Sequence, residues 1–151
     1  MSHEPERHIT VLNKEAVEGL NPRPGGRYVD GTLGAGGHTR GLLEAYNDTE
    51  VLGIDRDQEA LETARTNLAE FGERIHLARG GFDEMTEFAA DIGWEEVDGV
   101  LLDIGVSSMQ IDEPLRGFSY RFDGPLDMRM DRRSPITASV ILNESTLGEL
   151  T

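Results

Sequence analysis

Tyr28-Val29-Asp30-Gly31-Thr32-Leu33-Gly34-Ala35-Gly36-Gly37-His38 sets the architecture that the neighbouring sequence must satisfy. Its first residues form a short apolar run closing on an acid, which reads as a strand over 27–30, and residues 39–45 read as the start of a helix. Four glycines in the seven residues 31–37 would cost conformational entropy in any regular element. Between a strand and a helix they suit a ligand lying directly on the backbone, with the N–H groups of the first helical turn facing it. An ordinary glycine-rich strand-to-helix turn is the plainer alternative.

Downstream, residues 51–55 form a second apolar run ending on Asp55, and Leu61, Ala64, Leu68 and Phe71 then recur on one helical face with Gly72 at the expected C-terminus. Residues 75–78 read as a third strand closing at Gly80-Gly81. Asp83 can cap a helix carrying Met85, Phe88, Ala89 and Ile92, and 97–103 reads as a fourth strand, the most buried of the set. Upstream, residues 1–8 read as a mobile tail and 11–20 as a helix with Asn13 a candidate N-cap, ended by Pro22, Pro24, Gly25 and Gly26. Strand and helix alternate through four strands. That pattern predicts an α/β fold with a doubly wound parallel sheet, whose ligands bind outside the carboxyl ends of the strands. Asp30 and the glycines, Asp55, Phe82-Asp83 and Asp103 all fall at that edge. Beyond it, 104–110 reads as a loop and 114–133 has no clear period. Helices are expected to start at Ser134-Pro135 and again at Ser145.

The chain has 151 residues, a length suited to one domain with a real core, and 37% of them are apolar. It has no cysteine, which excludes a disulfide scaffold and thiolate metal sites; no metal is expected. No run is long enough for a membrane span and the N-terminus lacks the apolar core of a signal peptide, so the expected location is the cytoplasm. The net charge of −15 argues against broad, non-specific nucleic-acid binding. That charge is uneven, however. Residues 115–133 hold 5 Arg against 3 Asp, the only sizeable stretch with a positive balance, and Phe118, Tyr120 and Phe122 alternate there among the arginines.

Asp55 stands 21 residues after Gly34, the arrangement in which an acid at the tip of the second strand accepts hydrogen bonds from ribose hydroxyls. A helix-capping or surface carboxylate is the alternative. The turn departs from the dinucleotide fingerprint, because Thr39 replaces the third glycine. Asp30 ahead of the glycines suits the ammonium of a methionine moiety, as in S-adenosylmethionine, better than it suits a pyrophosphate.

The motifs of 29–39, Gly53-Ile54-Asp55-Arg56-Asp57, Phe82-Asp83, Leu102-Asp103-Ile104-Gly105-Val106-Ser107-Ser108-Met109-Gln110-Ile111-Asp112 and the run from Arg116 to Asp131 closely resemble the MraW/RsmH family. Members are bacterial S-adenosylmethionine-dependent methyltransferases acting on N4 of a cytosine in 16S ribosomal RNA. The resemblance runs from about Val11 to the last residue. It implies a cofactor site of Asp30, Gly34, Gly36, Gly37, His38, Asp55, Phe82, Asp103 and Gln110, with Asp103 also activating the amine. Arg116, Phe118, Tyr120, Arg129, Arg132 and Arg133 would face the RNA of the small ribosomal subunit. The family fold further implies a sheet of about seven strands with a helical insert after the fourth. Residues 1–114 would be the cofactor-binding core, and 115–151 the start of the insert. A non-catalytic cofactor-binding fragment stays open as an alternative, and so, more remotely, does a nucleotide-dependent oxidoreductase. The uncovered edge of strand four leads to the expectation of self-association or else poor solubility, and of no methyl transfer by this chain alone.

Overall fold

Consecutive residues of the short strands are apolar and successive side chains point to opposite sides, which requires a sheet covered on both faces, and that is what forms. The structure is a computed structural model and describes residues 13–151; the expected tail at 1–8 and the helical start at Val11 and Leu12 lie outside them. Strands β1 (Arg27–Asp30), β2 (Glu50–Asp55), β3 (Ile75–Arg79) and β4 (Gly99–Leu101) are all parallel, in the order β3-β2-β1-β4. Tyr28, Val51, Ile75 and Leu77 face one side with Leu42, Leu43, Leu61, Ala64 and Leu68. Val29, Leu52, Ile54 and Ala78 face the other with Met85, Phe88, Ala89 and Trp94. Helices α1 (Asn13–Leu20), α2 (Gly37–Ala45) and α3 (Gln58–Asn67) contribute to the first layer and α4 (Met85–Asp91) to the second. This is the doubly wound parallel arrangement. No helix among the described residues is long and apolar enough to cross a membrane.

Several boundaries differ from the sequence reading. Helix α3 stops at Asn67, and a 3-10 segment (Ala69–Arg74) carries Phe71 and turns the chain at Gly72, whose φ of 58° and ψ of −126° suit glycine. Asp83 does not cap α4. Glu84 turns back instead, and its Oε2 accepts the Gly81 N–H at 2.7 Å. Strand β4 has three residues rather than the seven of 97–103, and it is not the most buried strand: Val100 within it is 40% exposed and Leu102, just beyond it, 41%. It lies at the sheet edge, paired only with β1 among the described residues, so the burial its apolar residues suggested goes to β1 and β2.

Contacts divide the chain into two units. The first runs to Asp55 and continues over Glu59–Asp103; the second takes Arg56–Gln58 and Ile104–Thr151, so it begins earlier than the expected division at 114/115. Within the second, 104–110 is not all loop. Ser107 Oγ accepts the Gln110 N–H, and the Gln110 side chain accepts the Ser107 N–H, so helix α5 (Ser108–Asp112) starts on a capping box. Helix α6 (Ala138–Glu144) starts after Thr137, whose hydroxyl accepts the Val140 N–H, rather than at Ser134-Pro135. Helix α7 (Leu147–Leu150) starts after Thr146, not Ser145, with Glu149 accepting the Thr146 N–H.

Gly36 caps α2 in the left-handed region at φ 85°, and a Cβ there would lie 2.8 Å from Leu68 Cδ1. Backbone and packing therefore both demand glycine. Gly36→Ala is expected to lower the unfolding free energy by roughly 2–4 kcal/mol, the sum of a left-handed alanine and an overpacked core. The urea midpoint reads this directly, and an unshifted midpoint would show that α2 can be entered another way.

Candidate functional site

The first unit gathers its chemistry at the carboxyl ends of β1, β2 and β4. Leu33 N–H donates to Ile54 O at 3.0 Å and Gly31 N–H donates to Leu101 O at 2.9 Å, so the turn after β1 is tied to both neighbouring strands. Gly34 N–H donates to Asp55 Oδ2 at 2.9 Å. Asp103 N–H donates to Thr32 Oγ1 at 2.7 Å, and the Asp103 carboxylate stands 3.5 Å from His38 Nε2. His38 lies in the first turn of α2 and is 7% exposed, whereas the Asp103 side chain is 67% exposed. His38 Nδ1 is buried without a hydrogen-bond partner among the described residues. Phe82 follows β3 in a 3-10 turn, and its Cβ would be 2.8 Å from a Cβ placed on Gly31. Gly34, Gly36, Gly37, His38, Asp55, Phe82 and Asp103 thus belong to one unit and sit at the strand ends, in the turns that follow them or in the first helical turn beyond.

The glycines divide by purpose. At Gly31 an added Cβ would meet Leu102 and Phe82 below 3 Å, and at Gly36 it would meet Leu68. These two serve close packing, which the sequence reading did not expect of them. Gly34 differs: its φ is 52°, and an added Cβ would meet nothing nearer than Thr32 O at 4.0 Å. The space at its Cα is open, while its N–H is held by Asp55.

Asp30 requires a correction. It is 0% exposed, and its carboxylate accepts Thr39 Oγ1–H at 2.7 Å and Thr32 N–H at 3.2 Å. A side chain with no accessible surface cannot meet a ligand's ammonium; it fastens the glycine turn to α2. Thr39, noticed in the sequence only as a missing glycine, and Thr32, not singled out there, are the partners that do this.

In the second unit Gln110 is 5% exposed, and its Nε2 donates to Asp57 Oδ2 at 3.2 Å. Arg116 is 3% exposed. Its Nη2 lies 2.6 Å from Asp57 Oδ2 and also donates to the carbonyls of Arg129 and Met130. The expectation that Arg116 faces RNA therefore fails on burial. Arg129 is committed as well. Its guanidinium forks onto Asp127, holding that carboxyl down to about 2, and its Nη1 donates to Ser134 O at 2.7 Å. Arg133 pairs with Asp131 at 2.7 Å but stays 59% exposed, and Arg132 is exposed. Phe118 is half-buried, with the Arg116 guanidinium 6.0 Å from its ring centroid, while Tyr120 is 95% exposed. Asp57, the acid on which Arg116 and Gln110 converge, escaped the sequence reading because its neighbour Asp55 fitted a known pattern.

Burial pushes the Asp30 carboxyl above its ordinary value, against the opposing pull of the Thr39 and Thr32 hydrogen bonds and the nearby His38. The folded protein thus binds this proton more tightly than the unfolded chain does. Between the ordinary carboxylate range and the raised value folding takes up a proton, so this group's contribution to stability falls as pH rises through that window. Asp30→Asn, neutral throughout, should flatten that part of the stability curve in urea unfolding from mildly acidic to neutral pH. A variant curve parallel to the wild type would contradict it.

A sequence model of the MraW methylase family matches residues 5–151. Two relatives named Ribosomal RNA small subunit methyltransferase H come from Desulfovibrio desulfuricans and a Cyanothece species. They are 53% identical over 131 residues and 47% over 148, covering 87% and 97% of this chain. The chain spans 40% and 49% of their respective lengths. Among solved structures, the C-terminal domain of precorrin-6Y C5,15-methyltransferase from Rhodobacter capsulatus aligns over 71% of this chain and 55% of its own, at 18% identity and a TM-score of 0.52, a likeness of fold. With that sheet and a match that covers nearly all of its length, this chain belongs to the MraW methylase family.

Proposed function

We propose that the first unit binds S-adenosylmethionine and that the chain serves methyl transfer to the N4 amino group of a cytosine in 16S ribosomal RNA. One observation carries the reading: Gly34, Asp55, Asp103 and His38 are joined by backbone and side-chain contacts at the carboxyl edge of one parallel sheet. Support for the substrate comes from relatives named as ribosomal RNA small subunit methyltransferases.

The residues present fit the cofactor. Gly34 leaves open space at its Cα, His38 Nδ1 is a buried polar atom lacking a partner among the described residues, and Asp55 and Asp103 supply carboxylates suited to ribose hydroxyls and to a cationic sulfonium. Gly36, Gly37 and His38 would line the methionine end, Asp55 would hold the ribose, and Phe82 would pack beside the adenine. Gln110 and Asp30 are given structural roles instead. When bound, the cofactor supplies an electrophilic methyl group on sulfur. The protein's tasks are then to hold the amine in line and to make it nucleophilic. A cytosine N4 lone pair is delocalised into the ring, and an acceptor on its N–H favours a tetrahedral nitrogen. Asp103 is the acceptor this reading assigns. Thr32 fixes its backbone, His38 stands behind one carboxylate oxygen, and the exposed carboxylate can take the proton the methylated amine gives up.

Asp55→Ala is expected to weaken S-adenosylmethionine binding by roughly 1.5–3 kcal/mol, the scale for hydrogen bonds to a charged acceptor. Isothermal titration of wild type and variant, with NAD as the competing ligand class, reads this. Unchanged affinity would remove Asp55 from the site, and preferential NAD binding would refute the cofactor assignment. Label transferred from methyl-tritiated cofactor to small ribosomal subunits and recovered as N4-methylcytidine supports the reaction. Binding without transfer would restrict the chain to its cofactor half.

A further inference from the structure

Within the second unit, residues 117–125 form a loop whose base is closed backbone to backbone. Gly117 sits at φ 75°, and a Cβ on it would collide with Pro125 O and lie 2.9 Å from Asp127 N. On the opposite limb a Cβ on Gly124 would collide with Pro114 O. Met128 N–H donates to Arg116 O at 3.0 Å across the base and joins the two limbs, while Gly117 N–H donates to Pro114 O at 3.2 Å and closes the 3-10 turn that leads into the loop. Beneath the zipper, the buried Arg116 guanidinium holds Asp57 and two carbonyls of the returning limb. A loop with joined ends that packs on itself has already lost the freedom that binding would otherwise remove.

The tip presents Tyr120, Arg121 and Phe122. Tyr120 is 95% exposed and Phe122 is 54% exposed. Exposing large aromatic surface on an ordered loop wastes their burial energy unless a partner covers it. Arg121 between them is exposed, and its guanidinium makes no hydrogen bond or ion pair among the described residues. The arginines at 116, 129 and 133, by contrast, are held by Asp57, Asp127 and Asp131. The charge of Asp123, two residues beyond Arg121, offsets it, so the tip is no strong attractor of phosphates and must bind mainly through its flat faces.

We infer that the Tyr120-Arg121-Phe122 tip is a stacking platform for unpaired bases of single-stranded RNA. This rests on the ribosomal RNA reading above; it keeps Tyr120 from the expected RNA-facing set and puts Arg121 and Phe122 in the place of the arginines that brace the loop. Aromatic faces and a guanidinium plane accept any base that has left its stack, whereas duplex bases are stacked on each other and unreachable.

The test measures fluorescence anisotropy of a short single-stranded oligoribonucleotide, the same sequence as a duplex, and small ribosomal subunits against the whole chain. Tyr120→Ala and Phe122→Ala should each weaken single-strand binding on the order of tenfold. Tyr120→Phe and Phe122→Tyr should retain it, and S-adenosylmethionine affinity should be unchanged in all four. Arg121→Ala should lower the salt slope by about 0.7, the share of one phosphate on a single strand. Wild-type binding that the alanine variants leave intact would overturn the platform while leaving the methyltransferase reading standing. Equal losses on duplex would overturn stacking. Losses on subunits but not on naked RNA would assign the tip to a protein. No RNA binding by wild type alongside intact cofactor binding would overturn both the platform and the RNA half of the proposed function.

Discussion

The hydrogen bond from Gly34 N–H to the Asp55 carboxylate joins the turn after β1 to the end of β2, and the arrangement of the sheet edge follows from it. Leu33 N–H on Ile54 O and Gly31 N–H on Leu101 O extend the stitching to both neighbours of β1. The turn is thus held on three strands, and α2 leaves it at a fixed angle through the left-handed Gly36. His38 in the first turn of α2 and Asp103 after β4 then meet because Asp103 N–H is itself tied to Thr32 of the same turn. A charge-assisted bond of this kind contributes roughly 1.5–3 kcal/mol. Its geometric effect is larger than its energy, because each site residue inherits its position from the same anchored turn.

Asp30 supports this from beneath. A fully buried carboxylate is costly, and the Thr39 hydroxyl and Thr32 N–H offset that cost while bracing the turn against α2. In the second unit the Arg116–Asp57 pair has a comparable role, because helices of four to seven residues offer little apolar area to organise around. Buried ion pairs contribute specificity of arrangement more dependably than stability. Here the pair gathers Gln110, the 3-10 turn (Pro114–Arg116) and the carbonyls of Arg129 and Met130 about one acid.

The sheet was readable because its strands are short apolar runs, each closed by an acid or a glycine turn. The range 27–30 coincides with β1, and β2 and β3 each extend one residue beyond the runs at 51–55 and 75–78. Burial at β4 was not readable, since residue types report what a strand prefers and only strand order reports what covers it. The misreading of Asp30 has the same origin: the sequence shows a charge beside glycines but not its depth. Arg116 and Arg129 looked like RNA ligands because pairing with Asp57 and Asp127 depends on tertiary approach in one case and on a local turn in the other. Ser107 to Gln110 did carry a legible capping signature, which attention to Asp103 and the following loop concealed.

The central claim is that the anchored turn of the first unit is a cofactor cradle. It is tested most directly by titrating the 15N-labelled chain with S-adenosylhomocysteine and following backbone amide and imidazole resonances. The account predicts that the largest shifts fall on Gly34, Gly36, Gly37, His38, Asp55 and Asp103, saturating together. Saturable shifts centred elsewhere, with these resonances unmoved, would contradict it.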